Sequence, residues 1–480
     1  MAQHTVEKIG GTSMSDYASV RDNIMLNSGN TGSPYQRIFV VSAYGGITDK
    51  LLEHKKTGES GVYALFANDD DDRMWENALA NLRDSMATIN ARLFGENRRR
   101  QKANDFIFSR LDDVHRCLSD LQSLCRHGHF QMKEHLLTVR EMLASLGEAH
   151  SAFNLAELLR QEDIDTTFVD LSGWNIEQAM SLDDFIKDAF KDIDVSTTLP
   201  IVTGYSHCKE GLMATFDRGY SEMTFSRIAV LTEAREAIIH KEYHLSSADP
   251  RLVGDDKVVP IGRTNYDVAD QLANLGMEAI HPRAAKGLRQ SGIPLRVKNT
   301  FEPEHYGTLI TNDYVSETPC VEIIAGRKHV HALEIFDQDM SGYLETYDQL
   351  MTKQIQRFKV RTITKDTNAN TITYFLDTNL KGIKRLTDAI QEQCPGAEIT
   401  SRKIAIVSAI GSDMQVPGIL AKTVGALADA KISILAMSQS MRQVDMQFMI
   451  DESKYELAVK SLHQCMIEPH NHEYAICAAE

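Results

Sequence analysis

A lysine, a pair of glycines and two hydroxyl residues stand together near the start of the chain, in the stretch Lys8-Ile-Gly-Gly-Thr-Ser13. A strand-like run over 4–6 precedes this stretch, and a helix is predicted from Tyr17 to Leu26. Paired glycines let the backbone approach an anion closely, and N–H groups at a helix start favour phosphate. A lysine at the end of the strand adds positive charge for a transferring phosphoryl group. The stretch therefore predicts a phosphate-binding turn, and the alternative is a tight connection alone.

The same order of strand, glycine turn and helix recurs over residues 37–49. The buried run 38–41 leads into Ser42-Ala-Tyr-Gly-Gly46, with Thr48 close behind. Strand-like runs at 166–170 and 200–205, separated by a predicted helix over 178–191, continue the alternation. This alternation predicts a doubly wound α/β sheet, with ligands at the carboxyl ends of its parallel strands.

Two further stretches carry residue types that suit an amino-acid substrate. Gly147-Glu148 is predicted to lie at a helix start, where the glutamate would bind an ammonium group or simply cap the helix. Arg218 and Ser221 precede a helix predicted over 223–234. Arginine recognises carboxylates through two parallel hydrogen bonds. The alternative for this second stretch is a plain surface loop.

Length and charge restrict the class of protein. A chain of 480 residues suggests two to four domains, and a net charge of −16 argues against nucleic acid or an anionic membrane as a general partner. The seven cysteines contain no CxxC pair, and no signal peptide or long apolar run is recognisable. These features predict a reduced cytoplasmic protein, and the Cys and His spacings predict no metal site.

The chain divides into a large amino-terminal part and a repeated carboxyl-terminal part. Residues 1–312 are predicted to form one catalytic domain, with a mostly helical subregion at about 55–145. Beyond it, Asp339-Met340 and Asp413-Met414 mark a weak repeat of 74 residues (413−339). Each copy is predicted as an α+β unit, the second with a helix over 417–430. Such paired units suggest ligand-sensing modules, and the alternative is dimerisation alone.

Eight motifs, in order along nearly the whole chain, resemble the aspartokinases, the ATP-dependent kinases of the aspartate β-carboxylate. They are Lys8-Ile-Gly-Gly-Thr-Ser13, Val41-Ser-Ala-Tyr-Gly-Gly-Ile-Thr-Asp49, Gly147-Glu148, Thr203-Gly204-Tyr205, Arg218-Gly-Tyr-Ser221, Ala248-Asp-Pro-Arg251, His281-Pro-Arg283 and Val297-Lys-Asn-Thr300.

The resemblance implies an α/β fold, a three-layer α/β/α amino-acid-kinase domain with a mostly parallel sheet, followed by two ferredoxin-like α+β ACT domains. It implies that the first ACT domain, 327–395, is inserted in the second, which comprises 313–326 and 396–470, and that 471–480 is a tail.

The resemblance also implies roles for individual residues, with ATP and Mg²⁺ as cofactors. Catalysis is assigned to Lys8 and Glu222. The ATP phosphates are assigned to Lys8, Gly10, Gly11 and Ser13, and the nucleotide more generally to Arg251. Aspartate is assigned to Ser42, Thr48, Glu148 (its amino group), Arg218 and Ser221 (its carboxylates).

Two stretches depart from the family pattern. Glu222 stands where the family has a shorter aspartate, which alters the position of the carboxylate. Where the family has Trp-Thr-Asp-Val-Asp-Gly-Val-Tyr-Thr, this chain has Ile239-His-Lys-Glu-Tyr-His-Leu-Ser-Ser247, and Glu278 replaces a lysine. The pocket for the base must therefore differ. The run His240-Lys-Glu-Tyr-His244 resembles divergent aspartokinases encoded with ectoine synthesis.

The implied reaction is phosphorylation of L-aspartate to 4-phospho-L-aspartate, the first step towards lysine, threonine and related amino acids, and towards ectoine. The alternatives are a related kinase acting on glutamate or N-acetylglutamate, and a catalytically impaired regulatory protein. A lysine or threonine effector would bind the loop that contains Asp339, Met340, Ser341 and Gly342. The ACT domains imply a homodimer or a dimer of dimers.

Overall fold

A computed structural model describes most of the chain: residues 3–26, 33–54, 57–68, 72–127, 129–174, 176, 178, 180–213, 219–277 and 279–469. The chain forms two compact units. The first comprises Met1–His244 and Ile280–Asn312, and the second comprises Leu245–Ala279 and Asp313–Glu480.

The strands are numbered in chain order. They are β1 (Thr5–Ile9), β2 (Arg37–Val41), β3 (Thr166–Val169), β4 (Leu199–Thr203), β5 (Glu236–Lys241), β6 (Arg263–Asn265), β7 (Leu295–Asn299), β8 (Thr308–Thr311), β9 (Ile323–Phe336), β10 (Arg361–Asn368), β11 (Thr371–Asp377), β12 (Glu398–Ile410), β13 (Ile434–Gln439) and β14 (Asp445–Asp451).

The α-helices are numbered in the same way. They are α1 (Gly11–Met14), α2 (Tyr17–Val20), α3 (Ile47–Leu51), α4 (Val62–Asn68), α5 (Asp72–Phe94), α6 (Arg98–Cys125), α7 (Met132–Leu159), α8 (Leu182–Phe190), α9 (Tyr220–Leu231), α10 (Pro250–Val253), α11 (Tyr266–Asn274), α12 (Pro282–Gln290), α13 (Leu344–Arg357), α14 (Leu380–Gln393), α15 (Ile419–Asp429) and α16 (Tyr455–Met466).

The first unit is built on a sheet with the strand order β3-β4-β2-β1-β5-β7-β8. Neighbouring strands are parallel from β3 to β7, and β8 is antiparallel to β7. Its central strands are buried along their whole length, as expected for a parallel sheet covered on both faces. Because β1, β2, β4 and β5 are parallel, the turns that follow them lie at one edge of the sheet.

The second unit contains an antiparallel sheet with the strand order β10-β11-β9-β12-β14-β13. The long strands β9 and β12 pair antiparallel from Ile323 to Phe336 on one side and from Glu398 to Ile410 on the other. Apolar residues of α13 and α14 pack with one half of this sheet, and those of α15 and α16 pack with the other half. The repeat in the sequence corresponds to these two helix-and-sheet halves.

The expected fold class is therefore confirmed: a mostly parallel α/β sheet in one unit and an α+β architecture in the other. The division between the two units after Asn312 coincides with the expected end of the catalytic domain. Leu245–Ala279, however, falls in the second unit, although the sequence assigns all of 1–312 to one domain. The boundaries within 313–470 remain a prediction.

The expected bounds differ from the observed ones at several helices, and the helix expected over 223–234 spans Tyr220–Leu231. The segment after Tyr17 is α-helical only to Val20 and continues as a π-helix over Arg21–Met25. The helix expected over 178–191 spans Leu182–Phe190, and Ser181 caps it by accepting the N–H of Asp184. The helix expected over 417–430 begins only at Ile419, because Gly418 has a positive φ of 96°.

Within the part of the chain that the structure describes, no helix combines the length and the apolar character that crossing a membrane requires. The cysteines in that part are all free thiols.

A buried carboxylate ties the three central strands of the first sheet together. Glu7 on β1 accepts two hydrogen bonds from Arg37 on β2, Nε at 2.7 Å and Nη2 at 2.9 Å, and lies 2.7 Å from Nε2 of His240 on β5. Although burial favours the neutral acid, the charge of Arg37 and the hydrogen bonds hold the pKa of Glu7 well below its usual range. This cluster fixes β1, β2 and β5 as neighbours in the sheet, although the three strands are far apart in the sequence.

We expect Glu7→Gln to destabilise the first unit at pH 7 by on the order of 3 kcal/mol, because the largely buried Arg37 charge loses its partner. A carboxyl group whose pKa is lowered by folding stabilises the folded state at pH values above its ordinary pKa, near 4.3. This stabilisation is lost progressively as the pH falls below that value. The difference in unfolding free energy between wild type and Glu7→Gln should therefore become smaller as the pH is lowered from 6 to 3. The measurement is urea unfolding followed by tryptophan fluorescence, since both tryptophans, Trp75 and Trp174, belong to this unit.

Asp188→Asn is the matched control, because Asp188 pairs with Lys191 on the surface. This control should shift the unfolding midpoint little at either pH. If the difference in unfolding free energy between wild type and Glu7→Gln stayed constant from pH 6 to pH 3, the role given to the ionised carboxylate would be wrong.

Candidate active site

A buried ion pair lies at the carboxyl edge of the first sheet. Lys8 Nζ, near the end of β1, is 3.1 Å from Oε1 of Glu222, which lies in the first turn of α9. The other oxygen of Glu222 accepts the backbone N–H of His281 at 2.5 Å. Burial alone would raise the pKa of Glu222, but the positive charges of Lys8 and Lys241 and the N–H of His281 lower it. Glu222 is therefore ionised and holds the ammonium of Lys8 in place.

Glu148 supplies a second buried carboxylate close to this pair. Its side chain is 3 % exposed, and it accepts backbone hydrogen bonds from Ala43 and Tyr205. Burial raises the pKa of Glu148 well above its usual range, while the charge of Lys8 and these two N–H groups act in the opposite direction. Its Oε2 has no hydrogen-bond partner among the described residues. A buried acceptor of this kind suits a cationic group of a ligand.

The position of Glu148 in its helix differs from the prediction. It lies in the interior of α7, a single helix from Met132 to Leu159, and not at a helix start. Gly147 looked like a helix boundary, but a Cβ on it would meet Cβ of Ala43 at 2.8 Å. The glycine is thus required where the loop after β2 approaches the helix, and the helix continues through it.

Glycines allow the turns at this edge to approach one another. A Cβ on Gly11 would lie 2.7 Å from the carbonyl oxygen of Ala43. A Cβ on Gly204, after β4, would lie 2.7 Å from the carbonyl oxygen of Val41 and 2.8 Å from Oε2 of Glu148 and from Cβ of Ser221. A side chain at position 204 would therefore collide with both Glu148 and Ser221.

Ser15, which the sequence analysis missed, connects the two glycine turns. Its hydroxyl donates to the carbonyl of Gly11 at 3.2 Å and accepts the N–H of Gly45 at 2.8 Å. The carbonyl of Ser42 accepts the hydroxyl of Ser151 on α7 at 2.8 Å. Both turns are therefore fixed by hydrogen bonds to residues outside them.

A neutral polar cluster packs against the loop after β2 through Tyr44. Asn90 Oδ1 on α5 lies 2.7 Å from both Nε2 of His150 and Nδ2 of Asn154 on α7. Asn154 hydrogen-bonds the hydroxyl of Tyr44, and the ring of His150 contacts the Tyr44 ring edge-to-face at 5.4 Å. Burial lowers the pKa of His150 to about 3, so this cluster stays uncharged at neutral pH. Sequence periodicity gave no signal for it, since the cluster joins α7 to α5 and to the loop after β2.

The remaining predicted residues of the first unit lie around the same edge. Ser13 is fully buried, and its hydroxyl is 3.0 Å from that of Thr300. Thr48 is half-buried in the first turn of α3, directly after the second glycine turn. Gly10 donates its N–H to the carbonyl of His240 at 3.2 Å.

Arg218 lies outside the described residues. Arg251 belongs to the second unit, where it donates to the carboxylate of Asp249.

The candidate effector loop also belongs to the second unit. Met340 is fully buried in the core with α13 and α14, whereas Asp339, Ser341 and Gly342 are exposed.

The described residues contain no group of three or more Cys, His, Asp or Glu side chains that could hold a metal ion. A lysine and glycine turns at the ends of parallel strands, with buried carboxylates from two helices beside them, define a site for phosphoryl-group chemistry in an α/β protein.

Comparison with known proteins agrees with this class. Residues 3–299 match the amino acid kinase family, and residues 398–464 match an ACT domain. The chain is 57% identical over 476 residues to aspartate kinase Ask_Ect of Stutzerimonas stutzeri, covering 99% of this chain and 100% of the relative.

Two solved structures share the fold. Escherichia coli aspartokinase III in complex with aspartate and ADP superimposes with a TM-score of 0.70 at 19% identity, covering 97% of this chain and 100% of that one. Clostridium acetobutylicum aspartate kinase gives a TM-score of 0.69 at 19% identity, covering 96% and 100%. The chain therefore belongs to the amino acid kinase family and, within it, to the aspartate kinases.

We expect Gly204→Ala to destabilise the first unit by about 1–3 kcal/mol, because the new methyl group would contact a backbone carbonyl and displace Glu148 or Ser221. Unfolding followed by tryptophan fluorescence, with amide hydrogen exchange of peptides covering 41–46 and 203–206, measures the effect.

Gly425→Ala is the matched substitution. Gly425 lies within α15, and a Cβ there would meet nothing within 4 Å, so alanine should favour the helix by up to about 1 kcal/mol. It should leave the exchange of the two site peptides unchanged. Equal stability and exchange for wild type and Gly204→Ala would show that the turn has more room than the structure indicates.

Proposed function

We propose that this chain transfers the γ-phosphoryl group of ATP to the β-carboxylate of L-aspartate, producing 4-phospho-L-aspartate and ADP. The observation that carries the proposal is the 57% identity, over the whole of both chains, to a protein named an aspartate kinase. The buried cluster of Lys8, Glu222 and Glu148 supports it, because the cluster offers charges that an anionic nucleotide and an amino acid require.

The reaction needs no general base. An aspartate carboxyl has an ordinary pKa near 3.9 and is ionised at neutral pH. One carboxylate oxygen forms a bond to the γ-phosphorus, the bond from that phosphorus to the bridging oxygen breaks, and the electron pair leaves with ADP. The site must bring two anions together and stabilise the charge on the transferring group.

Lys8 is the cation for the transferring phosphoryl group. Lys8 is 8 % exposed, and Glu222 holds its ammonium at 3.1 Å, so the ammonium is positioned before substrates bind. Gly10, Gly11 and Ser13 would bring the backbone close to the phosphates. Arg251 is assigned to the nucleotide through its motif alone.

Glu148 receives the ammonium group of aspartate. Its unpartnered Oε2 lies near Gly204 and Ser221, where a small ligand would meet it. An ammonium there supplies the missing hydrogen bond and the opposite charge, so it favours the ionised carboxylate. Arg218 and Ser221 are assigned to the carboxylates of aspartate, and Ser42 and Thr48 to the wall of the pocket.

Mg²⁺ enters with the nucleotide in this proposal. The described residues offer no carboxylate cluster for it, and both oxygens of Glu222 are already bonded. Mg²⁺ commonly keeps most of its ligands as water and phosphate oxygens, which fits such a site. When bound, it would neutralise charge on the phosphates.

Regulation, assembly and pathway belong to the same proposal. A structure of E. coli aspartokinase III contains lysine and aspartate, which supports lysine as an effector to test first. The exposed residues Asp339, Ser341 and Gly342 are the candidate contacts, and the buried Met340 would support the loop from the core. We propose dimers or dimers of dimers through the ACT domains, and a role in amino-acid or ectoine synthesis.

A coupled assay for ADP release tests the function. Aspartate with MgATP should give turnover, whereas glutamate and N-acetylglutamate should give little. Turnover with either of those acids in preference to aspartate would identify a different amino-acid kinase. Absence of turnover with all three would favour a regulatory protein.

We expect Lys8→Ala to lower kcat about 100-fold or more while changing the KM for aspartate less than threefold, because the positive charge matters most in the transition state. Lys191→Ala, on the surface of the same unit, is the control and should leave both constants unchanged. A hundredfold rise in KM with kcat intact would contradict the role given to Lys8.

We expect kcat/KM for aspartate to rise with pH over a range that lies above the ordinary glutamate pKa, near 4.3. The raised pKa of Glu148 leaves a neutral fraction in the free enzyme at lower pH, and only the ionised form pairs with an ammonium. Glu148→Gln should lower kcat/KM at least tenfold and flatten this pH profile. Glu134→Gln, an exposed change in the first turn of the same helix, should retain the wild-type profile. An unaltered profile in Glu148→Gln would refute the assignment.

A further inference from the structure

A second lysine shares the sheet face that carries Lys8. In the parallel pair of β1 and β5, Lys8 lies beside Ile239 and Ile9 beside His240. Side chains alternate along a strand, so Lys241 points to the same face as Ile239 and Lys8. The opposite face carries Glu7 and His240, whose contact at 2.7 Å agrees with this alternation. Lys241 therefore lies on the strand next to that of Lys8, on the same face of the sheet, and two residues further along the strand direction.

The backbone at the end of β5 is held on both sides. Gly10 donates its N–H to the carbonyl of His240 at 3.2 Å, and Thr300 donates its N–H to the carbonyl of Lys241 at 2.8 Å. Lys241 is the last residue of β5 and pairs with Asn299 of β7. Strand spacings put its Cα roughly 8 Å from that of Lys8. Two lysine side chains at this separation can contact neighbouring phosphates of one nucleotide.

Two carboxylates lie close to these lysines, and one of them is already fully hydrogen-bonded. Glu222 has both oxygens engaged, by Lys8 and by the N–H of His281. The charge of Lys241 acts on Glu222 together with that of Lys8, which puts both cations near one carboxylate. Glu242 brings Oε1 to 3.7 Å from the place that a Cβ on Gly10 would take. Two lysines and two carboxylates thus surround the glycine turn, and Lys241 stands where the resembling family has an aspartate.

We propose that Lys241 contacts the phosphates of the bound nucleotide and makes the affinity of this site depend on the number of phosphates. This inference deepens the proposed function, on which it rests for the location of the nucleotide. Lys8 contacts the transferring group, and Lys241 contacts the phosphate chain from the adjacent strand.

Calorimetric titration of the full chain with AMP, ADP and ATP, each with Mg²⁺, tests the proposal without measuring turnover. In Lys241→Ala, affinity should fall about tenfold or more for ATP and ADP and less than twofold for AMP. Lys241→Arg should restore ATP affinity to within threefold of wild type, because it keeps the charge. Raising the salt concentration should weaken ATP binding less in Lys241→Ala than in wild type.

Lys191→Ala removes the same charge at a surface site and should bind all three nucleotides as wild type does. Equal losses for AMP, ADP and ATP in Lys241→Ala would overturn the proposal, since they would indicate a disturbed loop. Unchanged ATP affinity would overturn it as well. Melting temperatures of the variants, compared with wild type, identify any general loss of folding.

The two proposals fail in different ways. If wild type binds ATP with the graded dependence on phosphates but does not phosphorylate aspartate, the proposed reaction is wrong and the role of Lys241 stands. If wild type phosphorylates aspartate and Lys241→Ala binds ATP normally, only the role of Lys241 is wrong.

Discussion

The buried contact between Lys8 and Glu222 is the constraint on which the site depends. An ammonium removed from water needs an ionised partner, and a lone carboxylate in the same place would be neutral. Glu222 meets this need because the N–H of His281 satisfies its second oxygen. The end of β1, the first turn of α9 and the start of α12 must therefore lie in contact at this point. The longer glutamate, in place of the aspartate of the resembling family, still makes this contact.

Residues whose signal is local could be predicted from the sequence. A lysine at the end of a strand, followed by two glycines, indicated the correct edge of a parallel sheet, since alternating strands and helices imply that geometry. The α/β class and the repeated α+β units followed from the same periodicity. Glu148 was predicted to bind an ammonium group and was placed at a helix start, because a glycine in isolation looks like a boundary; the structure puts it in the interior of α7.

Contacts between distant elements could not be predicted. The order β4-β2-β1-β5 joins strands that are not consecutive, so nothing in the local pattern shows that Glu7 meets Arg37 and His240. The cluster of Asn90, His150 and Asn154 depends in the same way on how α5 packs against α7. Lys241 escaped notice for a related reason: its position beside Lys8 appears only once the register of β1 and β5 is known.

The length of α7 has a mechanical consequence. Its 28 residues span roughly 42 Å, and only the carboxyl-terminal part, with Glu148, is embedded among other elements. The outer part is joined to the rest of the unit as well, because Arg140 donates to Glu53 and Glu141 accepts the hydroxyl of Tyr205. One continuous helix therefore connects the helical subregion to the buried carboxylate of Glu148, so a change in the packing of one end alters the support of the other.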